Sequence, residues 1–359
     1  MKPIAQFALA VLVGAPLIPC GSASAQSSPS PDAAPQSSCA PSGDLHFVCG
    51  VTPVEDFVPI EGGRWLVGGS FQLGSVGLYL IDTAARTARP VALSIASLPD
   101  ARYAGCPAPD LSKLNTHGLD AVPGRAGATT VYAVNHGGRE SVEIFRLEAA
   151  KGAAQWIGCV LMPPGANGNA VAALPKGGGF VVTKFMDTGD RQGLQHIMTG
   201  AVTGVVYRWT PNKGFSEIPG TRLSGDNGVV VSRDGKWIFV NAWGSDQIYR
   251  FPLSGSAQPT SVKVDFRPDN LRWAPDGTLF DTGQFTQPRK AGQAGQPAVP
   301  DAWATVRLDP RTMTVTPLVK EAGMPAFGDA TSTVQVGDTL WFCSFRGDRV
   351  AYRPASSSP

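Results

Sequence analysis

Six segments of this chain read as copies of one unit: a polar opener, a short β-type run, a glycine turn and a second β-type run. They are Glu55-Asp56-FVPIEGGRWLVGG, His117-GLDAVPGRAGATTVYAVN, Asn169-AVAALPKGGGFVVTK, Asn227-GVVVSRDGKWIFVNA, Asp269-Asn270-LRWAPDGTLFDTG and Asp329-ATSTVQVGDTLWFCS. Their spacing is roughly 40–60 residues, the period of propellers and arrays. The pattern predicts an all-β fold, a six-bladed β-propeller with four-stranded blades. Most units hold four strand candidates; the last is one short at DRVAYRP, while DLHFVC near the start is spare. Pairing these two would close the ring with N- and C-terminal strands in one blade and remove the free sheet edges.

Composition fits this reading. The 42 glycines and 31 prolines, with only 16% charged residues, suit many short strands joined by tight turns rather than helices. Asp234-Gly235, Asp276-Gly277 and Gly337-Asp338 mark such turns. The net charge is +2, and Lys and Arg are scattered, which argues against a nucleic-acid partner.

The N-terminus predicts a secretory signal over 1–25. Lys2 precedes the apolar run AQFALAVLVGAPLIPC, and Ala23-Ser24-Ala25 offers small residues for cleavage after Ala25. Pro16 and Pro19 interrupt that run, which is short for a transmembrane anchor; LIPC, ending at Cys20, is only a faint lipobox. Residues 26–43 are Ser/Pro/Ala-rich and read as a disordered linker before a propeller over 44–354. The expected location is periplasmic or secreted. There Cys39, Cys49, Cys106, Cys159 and Cys343 are expected to pair, with at least one left over because five is odd. Their connectivity is not legible, and no CxxC spacing points to zinc.

If the first run of each unit lines a central channel, the openers crowd one mouth. Glu55, Asn169, Asn227, Asp269 and Asn270 then form an oxygen-only set of two carboxylates and three amides. That donor set suits calcium, which takes six to eight oxygens, better than zinc. An Asn or Asp before a strand also serves as turn chemistry, capping its own backbone; the recurrence of the register favours a site. His117 opens one strand and His136 closes its antiparallel partner, so both imidazoles are placed at the same mouth as candidate bases. His46, in the closing strand, and His196, in the segment 186–204, read as structural or solvated, and Asp187 and Asp190 as a solvated pair. Gly177-Gly178-Gly179 reads as a hairpin turn, since no Lys-Ser/Thr follows. Loops 97–116 and 186–204 break the repeat and could lie over the mouth.

VEDFVPI, NTHGLDA, VYAVNHGGRESVEIFRL, NGNAVAAL, GDNGVVVSRDGKWIFVNAWGSDQIYRF and RPDNLRWAPDG together resemble the paraoxonase family. That family sits within the wider group of gluconolactonase-like and strictosidine-synthase-like six-bladed propellers. The resemblance runs in order from about His46 to the end of the chain. It implies a catalytic calcium held by Glu55, Asn169, Asn227, Asp269 and Asn270, a histidine pair at His117 and His136, and hydrolysis of lactones and aryl esters. It also implies a deeper, structural calcium on Asp56, the carbonyl of Leu119 and an acidic side chain after the first Asn. Ala170 stands at that third position, and Gly225 and Asp226 stand where the family carries a bulky pocket aromatic.

The expected function is calcium-dependent hydrolysis of a lactone or ester. The ion would polarise the carbonyl, His117 would take a proton from the attacking water, and His136 would orient or relay. Two other readings stay open: a non-catalytic, calcium-stabilised binding module using loops 97–116 and 186–204, and a sugar-lactone hydrolase using another divalent metal.

Overall fold

The computed structural model describes residues 39–124, 127–286 and 301–355. The predicted signal peptide and residues 26–38 of the predicted linker lie outside them. Within the described residues the chain forms six antiparallel sheets arranged as the blades of a propeller. The first strands of successive blades are Phe57–Ile60, Thr116–Pro123, Ala166–Ala173, Asp226–Val231, Arg267–Trp273 and Ala330–Val336. Each packs against the first strand of the next blade, and the last packs against the first, so these strands ring a central channel.

The ring closes as the spare strand foretold. His46–Cys49 pairs antiparallel with the C-terminal strand, Phe47 opposite Ala351 and Val48 opposite Val350. A disulfide between Cys39 and Cys49 ties the preceding residues to this blade, and Ser42 bridges Leu45. Five blades have four strands each. The second has a fifth, Ala92–Ile95, added in parallel to its outer edge at Ala153–Trp156. The repeat pattern did not show this addition, because the strand lies in the connection between two units.

Alternation along the strands explains the layers. In Thr129–Asn135 and Ser141–Glu148, Val131, Ala133, Phe145 and Leu147 face the first blade and pack with Val67, Leu80, Leu119 and Trp156. Their neighbours Tyr132, Val134, Val142 and Ile144 face the third blade, with Phe180 and Val182. Both faces of a middle strand are therefore apolar, and each fully buried large side chain contributes about 1.5–3 kcal/mol.

Loop 97–116 contains two short 3-10 turns, Ala101–Tyr103 and Leu111–Lys113, and the disulfide Cys106–Cys159 fastens it to the strand Ala153–Leu161 of the second blade. Segment 186–204 contains a short helix, Gly193–Met198. Cys343 is free and buried.

Candidate metal and histidine site

One irregularity recurs where the polar openers stand. The register of the first strand against its partner shifts between Thr116 and Leu119, Gly168 and Val171, Asp226 and Val229, Pro268 and Asn270, and Ala330 and Ser332. A bulge re-aims the side chains beside it, and those side chains include His117, Asn169, Asn227, Asp269 and Asn270. Glycine makes the close approach possible. A Cβ on Gly118 would lie 2.4 Å from the Asn169 carbonyl oxygen, and one on Gly228 would lie 2.3 Å from that of Asp269. The His-Gly and Asn-Gly pairs are thus packing requirements as well as motifs: the glycine lets the next blade's opener come close.

The five oxygen-bearing residues are all buried. Asn270 Nδ2 donates to Glu55 Oε1 at 2.7 Å, and Gln284 Nε2 donates to Asp269 Oδ2 at 2.7 Å. Glu55 Oε2, Asn169 Oδ1 and Asn227 Oδ1 are buried and accept no hydrogen bond. Burial, and then the neighbouring Asp56 charge, push Glu55 up to about 8. Burial, and then Glu55, raise Asp269 well above the usual carboxylate range. Among the described residues no three His, Cys, Asp or Glu side chains converge as a metal cluster; the donor set here is two carboxylates with amides.

This chemistry fits a hard divalent cation. Buried polar oxygens without donors are costly and uncommon. A cation would supply what such oxygens lack and screen the two carboxylates.

The histidines form a chain that ends on this set. Thr116 pairs with Asn135 across the second blade, which brings His117 and His136 together. His117 Nδ1 and His136 Nε2 are 2.9 Å apart. His136 Nδ1 lies 2.9 and 3.0 Å from the two oxygens of Glu140. Gly168 N–H donates to Glu140 Oε2 at 3.1 Å, fixing the carboxylate. An ionised carboxylate only accepts, so it takes the Nδ1–H of His136. His136 Nε2 then accepts from His117 Nδ1–H, and His117 Nε2 is left with a free lone pair. That nitrogen faces Glu55 Oε2 at 3.5 Å. Burial pushes His117 down to about 4, against the Asp56 and Glu140 charges, so it is neutral near pH 7. Phe71 stacks on the His117 ring with centroids 4.3 Å apart.

The other candidates lie elsewhere. His46 stacks on Tyr352 in the closing strand. His196 pairs with Asp190 at 2.8 Å on an exposed surface, and Asp187 pairs with Lys184 at 2.8 Å. Where the resemblance places a pocket aromatic, Gly225 has φ +64°, and a Cβ there would lie 2.8 Å from Ile197 and 3.0 Å from Phe185. The short helix and Phe185 fill that space. Asp56 and Leu119 sit deeper: the Leu119 N–H donates to Asp56 Oδ2 at 3.0 Å.

Glu140, Gln284 and Phe71 were not singled out from the sequence. Glu140 had a usable signal, as an acid four residues after His136 in HGGRE, within the turn that follows the strand.

Comparison with known proteins agrees with the fold. The structure superposes on a luciferin-regenerating enzyme with a TM-score of 0.56 at 14% identity, covering 86% of this chain and 94% of that one. A provisional gluconolactonase gives a TM-score of 0.52 at 14% identity, covering 88% and 93%. In sequence, the chain is 30% identical over 134 residues to the protein STRICTOSIDINE SYNTHASE-LIKE 11 of Arabidopsis thaliana. This chain shares the six-bladed propeller of the gluconolactonase-like and strictosidine-synthase-like proteins. The sequence match spans 36% of this chain and 39% of the plant protein. No family model matches.

Proposed function

We propose that this chain is a calcium-dependent hydrolase of lactones or aryl esters. The observation that carries the reading is a hydrogen-bonded chain, Glu140 to His136 to His117, whose free nitrogen faces Glu55 Oε2, a buried oxygen without a donor. Glu55, Asn169, Asn227, Asp269 and Asn270 would hold the ion. When bound, it supplies a Lewis acid that stabilises negative charge developing on the acyl oxygen.

The protein's own groups supply the proton chemistry. His117 Nε2 takes a proton from water as the water oxygen attacks the acyl carbon. The positive charge that forms on His117 is shared through Nδ1–H with His136 and stabilised by Glu140. His117 then returns the proton to the leaving alkoxide or phenoxide oxygen, and the C–O bond breaks. Phe71, stacked on His117, limits rotation of the ring and covers one of its faces. The export signal expected over 1–25 would send this activity to the periplasm or outside the cell. The shared fold with a luciferin-regenerating enzyme and a provisional gluconolactonase is consistent with a small-molecule substrate.

The test combines a panel of lactones and aryl esters with a measurement of bound calcium. His117→Gln should keep calcium and lose turnover. If the wild-type protein binds calcium and turns over no member of the panel, the hydrolase reading fails and a calcium-stabilised binding module replaces it.

A further inference from the structure

Below the mouth the channel contains a second polar cluster, built around a cation of the chain's own. Arg272 follows Asn270 by two residues on the same strand, so strand alternation sends both side chains to the channel face. Its Nη2 donates to Asp56 Oδ2 and, at 2.8 Å, to the Leu119 carbonyl. Its Nε donates to the Phe57 carbonyl at 3.1 Å and its Nη1 to the Leu271 carbonyl at 3.3 Å. Both Arg272 and Asp56 are buried. The Phe57 N–H donates to Asp56 Oδ1 at 2.9 Å, so each carboxylate oxygen has a donor. Asp56 and the Leu119 carbonyl are the two donors that the family resemblance offers to a second, structural calcium. The third supplier would be residue 170, where Ala170 brings a methyl group and packs beside Gly118.

We propose that Arg272 stands in place of that second ion, so that the channel accepts a metal at the mouth alone. Donor count and charge both support this. Calcium needs six to eight oxygens at about 2.3–2.6 Å. Here one carboxylate oxygen and three carbonyls are already bonded to a guanidinium, and Ala170 supplies none. A divalent ion in a buried site also calls for more than one negative charge. Asp56 is the carboxylate bonded to the single, permanent charge of the arginine, with Asp120 and Glu55 in electrostatic reach of it, and residue 170 adds no acid to this layer. The deep layer is therefore fastened whatever the calcium concentration, and metal removal should loosen the mouth without unfolding the ring.

The inference does not depend on the catalytic reading, and one experiment separates them. Metal-depleted wild-type protein is equilibrated with excess calcium, desalted, and its calcium counted per chain. At most one ion is expected, and it should be lost in Asp269→Asn. A count of zero would sink the mouth site and leave this inference standing. Two ions per chain, or one that survives Asp269→Asn undiminished, would overturn it. Arg272→Met strands Asp56 and should lower the melting midpoint by on the order of 10 °C. The double variant Arg272→Ser with Ala170→Asp should take up one ion more than wild type, and its midpoint should climb as calcium is added. If that variant folds and binds no additional ion, Arg272 does not occupy an ion's position and the proposal falls.

Discussion

Glu55 and Asp56 are adjacent, buried carboxylates that differ in what surrounds them. Both oxygens of Asp56 accept, from backbone N–H groups and from Arg272. Burial raises its pKa, and Arg272, Leu119 and Phe57 pull against that rise. Glu55 has a donor for one oxygen only, and its other oxygen faces His117 Nε2 at 3.5 Å. In the Asp56–Arg272 pair, by contrast, both carboxylate oxygens have donors. An unsatisfied buried polar group costs about 1–3 kcal/mol, and Glu55 Oε2 is such a group 3.5 Å from a histidine nitrogen, the combination expected at a functional site.

The comparison breaks most sharply at its two carboxylates. In the metal-free protein, Asp56→Asn should destabilise by roughly 3–5 kcal/mol, because it leaves Arg272 buried without its counter-ion. Glu55→Gln should be neutral or stabilising under the same conditions, since burial holds Glu55 protonated up to about pH 8 at a cost in stability that a neutral amide does not carry. Chemical denaturation in excess chelator measures both. Effects of the same sign and size would mean that the two layers are not different in kind.

Next in size is the separation of chemistry from stability at the mouth. His117→Gln should cut turnover by roughly 10²–10⁴-fold while the denaturation midpoint and bound calcium stay at wild-type values. A comparable loss of stability would recast His117 as a packing residue.

Much of this contrast was legible in the sequence, and the reasons are physical. The ring was legible because a closed array repeats its strand and turn chemistry six times, and because the spare N-terminal strand had one obvious place to go. The burial of the polar openers was legible because they recur at the head of each unit's first strand, and the His117–His136 juxtaposition because antiparallel pairing joins those two strand ends. Bulges were not legible, since they depend on a partner strand's register rather than on residue type. The fifth strand of the second blade pairs with residues about sixty positions away, which no local pattern encodes. Glu140 lay in a turn, where the sequence does not specify direction. Arg272 was in plain view two residues beyond Asn270, but alternation alone does not reveal that a channel-facing arginine has a carboxylate waiting beneath it.

Calcium should stabilise the fold through the mouth only. Saturation at a hundred times the dissociation constant is worth about 2.7 kcal/mol. The sign of the pH effect follows from Glu55, which is pushed from 4.5 up to about 8 in the folded, metal-free chain. Between those values the folded state binds more protons than the unfolded state, so metal-free stability falls as pH rises across this window. With calcium bound that fall should shrink or vanish. Thermal melts at several pH values, with calcium and with chelator, measure the difference. A metal-free profile that rises through the window would show that Glu55 is ionised and partnered without an ion.

The smallest effect expected is at Glu140, and it tests whether the histidines act as a connected pair. Glu140→Gln keeps an oxygen that can accept the His136 Nδ1–H but removes the charge that stabilises a positive imidazole pair. Turnover should fall by roughly 10–100-fold, the usual cost of losing a carboxylate behind a functional histidine, with KM little changed. The Glu140 charge raises the His117 pKa, so its loss should move that pKa down. Because the base must be neutral to act, the acidic limb of the pH–rate profile should shift to lower pH. Glu140→Asp, which keeps the charge on a shorter arm, should recover part of the rate. A role confined to holding the turn would predict a drop in melting temperature with the limb unmoved, and that result would separate His136 from the chemistry and leave His117 to act without it.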